Sequence, residues 1–289
     1  MSTPPAVGYV DPNFPNPNGP QDVSVIIYGH VGLLLYTPGR EYTPSLAVGL
    51  LGVILFALST IVHVYQLFRY RTWYFTPIIV GTIMEVVGYV FRICSSQLSP
   101  YNLIYFVIQY FFIVVAPVFF SAAIYTVLSM LINAVPNGPT LAPLAPRLIL
   151  IIFIVCDVIA TVVQVAGAAL IGVAESNRRD PTTPNNILLA GLSFQVFSFF
   201  LFLVLFFTFL WRARKVVAAT MMPFTFAFVF AALLVYLRTC FRLAETAEGL
   251  MQNLSTNEVY FGCLEFAPVI IAVGIFNGWH PGKWVTRYR

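Results

Sequence analysis

The chain has 289 residues, of which 59% are hydrophobic and 9% charged, with a formal net charge of +4 and a mean hydropathy of +0.86. A soluble domain carries about 25% charged residues, so the composition excludes a soluble fold and predicts an all-α, polytopic membrane protein. Its 15 Lys and Arg residues are scattered over short connections and form no basic patch interleaved with aromatics, which excludes nucleic acid as a partner.

In chain order, residues 1–44 are read as an extracellular tail, because the Pro-, Asn- and Gly-rich run over residues 3–20 cannot hold a regular helix. The start lacks the basic, apolar and cleavage segments of a signal peptide, so no cleavage is expected. The semi-apolar patch at residues 23–36 is too short to span and is placed at the interface or over the extracellular mouth. Residues 45–282 follow as a seven-transmembrane domain. Its apolar stretches run approximately over residues 45–67, 75–94, 103–132, 148–173, 187–211, 223–243 and 258–278, each near the ~20 residues that cross a hydrocarbon core. Pro117, inside the third, is expected to kink the helix unless neighbours satisfy the freed carbonyl. Residues 283–289 form a short basic cytoplasmic tail. Cys94, Cys156, Cys240 and Cys263 all fall in spans, where they read as small packing residues.

Orientation follows from the basic residues in the short flanks. One side collects nine: Arg69, Arg71, Arg147, Arg212, Arg214, Lys215, Lys283, Arg287 and Arg289; the other collects three: Arg40, Arg178 and Arg179. The richer side is expected to be cytoplasmic, with the amino terminus outside and the carboxyl terminus inside. Asn253, in an Asn-Leu-Ser sequon, then lies on the outer side as a candidate glycosylation acceptor.

Charged and amidic residues inside the spans carry the functional signal. The acids are Glu85, Asp157, Glu245 and Glu265, and the bases Arg92, Arg238 and Arg242. Arg238, Arg242 and Glu245, at i, i+4 and i+7, fall within about 60° of one another on a helix. Glu85 and Arg92 are two turns apart on one face, as are Asp157 and Gln164. Gly81 and Gly88 flank Glu85 on its face and permit a close helix approach. With Gln109 and Gln195 these groups are expected to converge in the outer half of the bundle. A charge at bilayer depth costs about 2.5 to 3.5 kcal/mol on insertion scales, so such residues turn inward, find partners and mark substrate pathways. The bland alternative is that they only pair to hold the bundle together. At least one arginine of the sixth span is expected to pair across helices.

His63 reads as a packed or interfacial side chain and His280-Pro-Gly282 as a helix stop. No GxGxxG, P-loop, GxSxG, HExxH or paired CxxC motif occurs. Neither an enzyme nor a metal or other cofactor is expected. Retinal is disfavoured too, since Lys215 and Lys283 lie at flanks and leave the bundle without a Schiff-base lysine.

These strings resemble the fungal lipid-translocating exporter, or RTA-like, family over nearly all of residues 42–282. Its motifs occur in order: Tyr42-Thr-Pro-Ser45; His63; Glu85-Val-Val-Gly-Tyr89-Val-Phe-Arg92; Gln109 with Ala116-Pro117 and Ala123-Ile-Tyr125; Asp157 with Gln164 and Gly167; Gly191 to Gln195; Arg238-Thr-Cys-Phe-Arg242-Leu-Ala-Glu245; Glu258, Glu265 and Pro268; and His280-Pro-Gly282. Phe241, Gly262 and Glu265 depart from residues common in the family. The resemblance implies a plasma-membrane protein that moves sphingoid bases or other amphiphiles and confers resistance to them, with some relatives linked to tetrapyrroles. It also brings Tyr89 and Tyr125 into the polar set. The partner is thus a membrane lipid or amphiphilic small molecule. A seven-span receptor for amphiphiles is the alternative, disfavoured by the short inner connections.

Overall fold

A computed structural model describes residues 46–97, 103–176, 182–248 and 258–284. The tail, the Tyr42 to Ser45 motif, the Asn253 sequon, Arg40, Arg178, Arg179, Arg287 and Arg289 lie outside the described residues. Those residues form helices without a strand. Seven are long and apolar enough to cross a membrane. They are α1 (Leu46–Tyr70), α2 (Thr76–Gln97), α3 (Leu103–Ala134), α4 (Pro146–Ser176), α5 (Thr182–Thr220), α6 (Met222–Glu248) and a seventh span, Phe261–Trp284, whose central helix is α7 (Ala267–Gly278).

Each helix packs against its neighbour in sequence, α7 closes onto α1, and α3 also reaches α6 across the middle. The interior is thereby divided. One compartment lies toward α1, α2 and α7, the other toward α4 and α5.

Periodicity explains which faces turn in. On α1 the buried positions are Gly49, Gly52, Phe56, Ser59, His63 and Leu67, spaced by three and four. The exposed positions are as apolar or more so, among them Leu50, Ile54, Leu58, Ile61 and Phe68. This is the pattern of a helix solvated by lipid, where the small and polar residues face protein. On α5 the same spacing buries Phe199, Phe202, Phe206, Phe209, Ala213 and Val217. Their rings join a spine through the core: Tyr125 to Phe202 at 4.5 Å, Phe206 to Phe228 at 4.8 Å and Phe228 to Phe276 at 6.2 Å between centroids.

Helix ends differ from the apolar stretches read in the sequence. α5 runs on to Thr220, past the expected end at Trp211, and only Met221 separates it from α6. Its 39 residues extend roughly 58 Å at 1.5 Å per residue, well beyond one hydrocarbon core. α6 likewise continues past Leu243 to Glu248. The extra turns are rich in Ala, Arg, Lys and Glu, good helix formers that need no lipid. α3 continues through Pro117 as a single helix.

All four tryptophans, Trp73, Trp211, Trp279 and Trp284, lie at the end of the bundle where α1, α3, α5 and α7 finish. Arg214 sits 5.7 Å from the Trp211 ring. Amphipathic rings beside basic side chains suit a membrane–water interface.

At Gly167 the helix comes against the backbone of its neighbour. A Cβ there would lie 2.7 Å from the backbone nitrogen of Leu188 and 2.9 Å from its Cα, and backbone cannot swing aside. Gly167→Ala is expected to destabilise α4 against α5 by about 1 to 3 kcal/mol. Gly172→Ala, with nothing within 4 Å of the added methyl, should be neutral or mildly stabilising. Thermal melting of both variants in one detergent checks this; equal melting points would refute it.

Candidate functional site

The sequence-predicted polar residues occupy both compartments, so the single outer constellation expected from the sequence is in fact two groups. The first is built by α2, α3, α6 and the start of the seventh span. That span opens with one α turn (Glu258–Tyr260), passes through a π-helical segment (Phe261–Phe266) and continues as α7. Pro268 has no N–H to give to the preceding turn, and the Ala267 N–H instead reaches back to the Gly262 carbonyl. The widened turn carries Glu265, which is buried. No periodicity in the sequence announces this; the signal was Pro268 three residues after a charged one.

Glu265 faces Arg238. The Arg238 Nη2 donates to Glu265 Oε1 at 2.5 Å and to the Ile113 carbonyl of α3 at 3.0 Å, so one guanidinium ties three helices together. Both side chains are 3% exposed. Arg242, on the same face of α6, donates to Glu245 at 2.8 Å. Glu85 is buried in the middle of α2 and feels the charges of both Arg238 and Glu265. Gly81 and Gly88 beside it admit Phe120 and Ile113 of α3, whose side chains would meet an added Cβ at 2.6 and 2.7 Å. Tyr89, one turn on, stacks on Phe56 and meets the Phe266 ring edge-on, both at 5.7 Å. Arg92, the next turn, lies 4.3 Å over the Phe261 ring, a cation–π contact. Gln109 is buried on α3, one turn ahead of Ile113. Three arginines thus share this compartment with three glutamates, two of each joined in ion pairs.

The second group belongs to α3, α4 and α5. Tyr125 Oη donates to Asp157 Oδ2 at 2.9 Å. Gln164 Nε2 donates to Gln195 Oε1 at 2.8 Å. Asp157 is 1% exposed, and its Oδ1 has no hydrogen-bond partner among the described residues. The hydroxyls of Ser121 and Ser198 are buried and unpartnered likewise.

A third cluster was missed in the sequence. Asn277 Nδ2 donates to Ser59 Oγ at 2.5 Å, and Gln66 Nε2 donates to the Asn277 carbonyl at 2.7 Å, joining α1 to α7. His63 and His280 are both buried, with ring centroids 6.4 Å apart. Tyr70 stacks on His280 at 5.4 Å. His280-Pro-Gly282 is more than a helix stop, because His280 Nδ1 accepts the Gly282 N–H at 3.1 Å and so holds the turn. The available signal was Ser59, His63 and Gln66 at i, i+4 and i+7 on α1. No group of three His, Cys, Asp or Glu that could hold a metal occurs among the described residues.

Removing one partner of an enclosed ion pair strands the other, at about 3 to 5 kcal/mol. Arg238→Ala is therefore expected to lower stability by that order, and Arg238→Ala with Glu265→Gln to recover much of it. A double-mutant cycle of melting in detergent checks the coupling; strictly additive losses would refute it.

The chain is similar to several fungal proteins. It is 28% identical over 277 residues to the sphingoid long-chain base transporter RSB1 of Saccharomyces cerevisiae (strain Lalvin EC1118 / Prise de mousse), covering 83% of this chain and 72% of that one. It is 28% identical over 212 residues to Protein RTM1 of Saccharomyces cerevisiae, covering 70% and 65%. It is 26% identical over 263 residues to the probable lipid transporter atnI of Emericella nidulans, covering 84% and 67%. No solved structure matches the chain. The RTA1 family, described as RTA1 like protein, matches residues 78–288, a span that includes Glu85, Asp157, Arg238 and Glu265. With most of its length matched, from the second helix to the carboxyl end, the chain belongs to the RTA1-like protein family.

Proposed function

We propose that this protein translocates amphipathic lipids such as sphingoid long-chain bases, or toxic amphiphiles, and thereby contributes to resistance against them. The observation that carries the reading is the set of ionisable and amidic side chains buried inside an apolar seven-helix bundle. Holding charge there is costly, and such groups mark substrate or ion pathways. The names of relatives with similar coverage, a sphingoid base transporter and a probable lipid transporter, point the same way. Glu85, Tyr89, Arg92, Gln109, Arg238, Arg242, Glu245 and Glu265 in one compartment, and Tyr125, Asp157, Gln164 and Gln195 in the other, are the residues proposed to line the path. The role requires no bond-making step, and the protein is proposed to act as a transporter rather than an enzyme.

The protein is placed in the plasma membrane, with residues 1–44 outside and residues 283–289 in the cytoplasm. The excess of Lys and Arg at the end bearing the tryptophans supports this orientation. A reporter fused at the carboxyl terminus should be cytoplasmic and one before Ser45 extracellular; both on one side would refute the placement.

Purified protein in liposomes should accelerate movement of a labelled sphingoid base between leaflets. Binding without movement would instead mark a receptor. Arginine offers a planar fork of donors and lysine a point charge. Arg238→Lys should therefore lower transport nearly as much as Arg238→Ala at matched protein amounts. Full activity in both variants would remove Arg238 from the path.

A further inference from the structure

We infer that the head-group site is Asp157, that it takes the ammonium of a single-chain cationic amphiphile, and that the chain lies in an apolar groove between α4 and α5. This rests on the translocator reading and assigns that role to one of the two compartments.

Charge decides between them. Around Arg238, Glu265 is paired with Arg238 and Glu245 with Arg242, while Glu85, which joins neither pair, still lies in the field of Arg238. An added cation at Glu265 or Glu245 would have to displace a guanidinium, and one at Glu85 would meet the repulsion of Arg238. Asp157 differs. Among the described residues no Lys or Arg pairs with it, and its one side-chain hydrogen bond comes from the neutral Tyr125 hydroxyl. A carboxylate enclosed without a counter-charge is strongly disfavoured, so a mobile cation that reaches it gains what the protein itself does not supply. An ammonium has three donors, and Asp157 Oδ1 is a buried acceptor without a partner. The unpartnered hydroxyls of Ser121 and Ser198 add acceptors from the two flanking helices, α3 and α5.

The groove supplies the remainder. It is a half-open cleft of about 340 Å³, lined by Ile152, Phe153 and Cys156 of α4 and by Phe194, Ser198 and Leu201 of α5, among others. Such a volume is near the lower end for small-molecule sites, about 300 to 1,000 Å³, and fits one chain better than two. Ile152, Phe194 and Leu201 are exposed on the outer face of the bundle, so the groove opens sideways onto lipid. The polar group lies behind its wall: Cys156 adjoins Asp157 in sequence, Phe153 packs 5.6 Å from the Tyr125 ring, and Ser198 lines the groove with its hydroxyl buried. An amphiphile could thus leave the bilayer laterally with its chain in apolar contact throughout, while its amine meets the acid.

The test uses the full chain in nanodiscs and two probes, a labelled C18 primary amine and its neutral N-acetyl counterpart. Wild type should bind the amine at least roughly tenfold more tightly than the amide, as a charge-assisted contact implies. Asp157→Asn should abolish that preference, and Leu201→Trp should weaken both probes while keeping it. Should Asp157→Asn fail to fold, the amine carrying a photoreactive diazirine in its chain, used on the wild type, should label α4 and α5 at the groove. Labelling confined to α2, α6 and α7, a preference that survives Asp157→Asn, or no binding of the amine by wild type would each overturn the assignment. Labelling of α2, α6 and α7 with transport intact would leave the translocator reading standing. Asp157-dependent binding without any movement in liposomes would overturn that reading and not this site.

Discussion

A charge inside a membrane needs an answering charge, and the Arg238 guanidinium is where this fold meets that requirement. It joins α6 to Glu265 on the seventh span and to the Ile113 carbonyl on α3. Any rearrangement that separates these helices must leave a charge exposed to a low-dielectric interior or bring water to it. The contact therefore does two things at once. It fixes the relation of three helices, and it makes their relative motion conditional on something else neutralising the charge.

The path of α3 follows from small residues opposite it. Gly81 and Gly88 let its Phe120 and Ile113 side chains come close to α2. α3 then passes through the interior and reaches α6, separating the polar groups on either side. One side is dominated by balanced ion pairs, the other by an acid, two amides and two serines. The first is suited to holding helices in register, since ion pairs at depth are directional. The second is the one proposed to accept the head group. The two compartments share α3, which presents Ile113 to one and Tyr125 to the other.

The surface follows the opposite rule from a soluble protein. Phe197, Phe200, Leu201, Val204 and Phe207 of α5 are exposed, as are Val155, Val158, Ile159 and Val162 of α4. In water such a continuous apolar exterior would drive association, whereas in a bilayer it is simply solvated. Where α4 and α5 do not quite close, the apolar exterior becomes an apolar groove, and Ser198 and Cys156 are the points where it reaches inward.

Much was legible in the sequence. Hydropathy and length give seven spans, because a hydrocarbon core dictates about 20 apolar residues whatever the tertiary structure. The spacing of Arg238, Arg242 and Glu245 places them on one face, because helical geometry is local. Gly81 and Gly88 announce a close contact without naming its partner. Helix ends were less legible: α5 and α6 outrun their apolar stretches, since hydropathy marks where lipid stops and not where helical propensity does. Only the tertiary structure decided that Arg238 takes Glu265 rather than Glu85 or Glu245, because the π turn before Pro268 sets where Glu265 sits. Only the tertiary structure put α3 between the polar groups, leaving Asp157 with Tyr125 and, among the described residues, no cationic partner. Pairing across helices depends on packing at long range, and sequence separation carries no information about which buried charge will be left without its opposite.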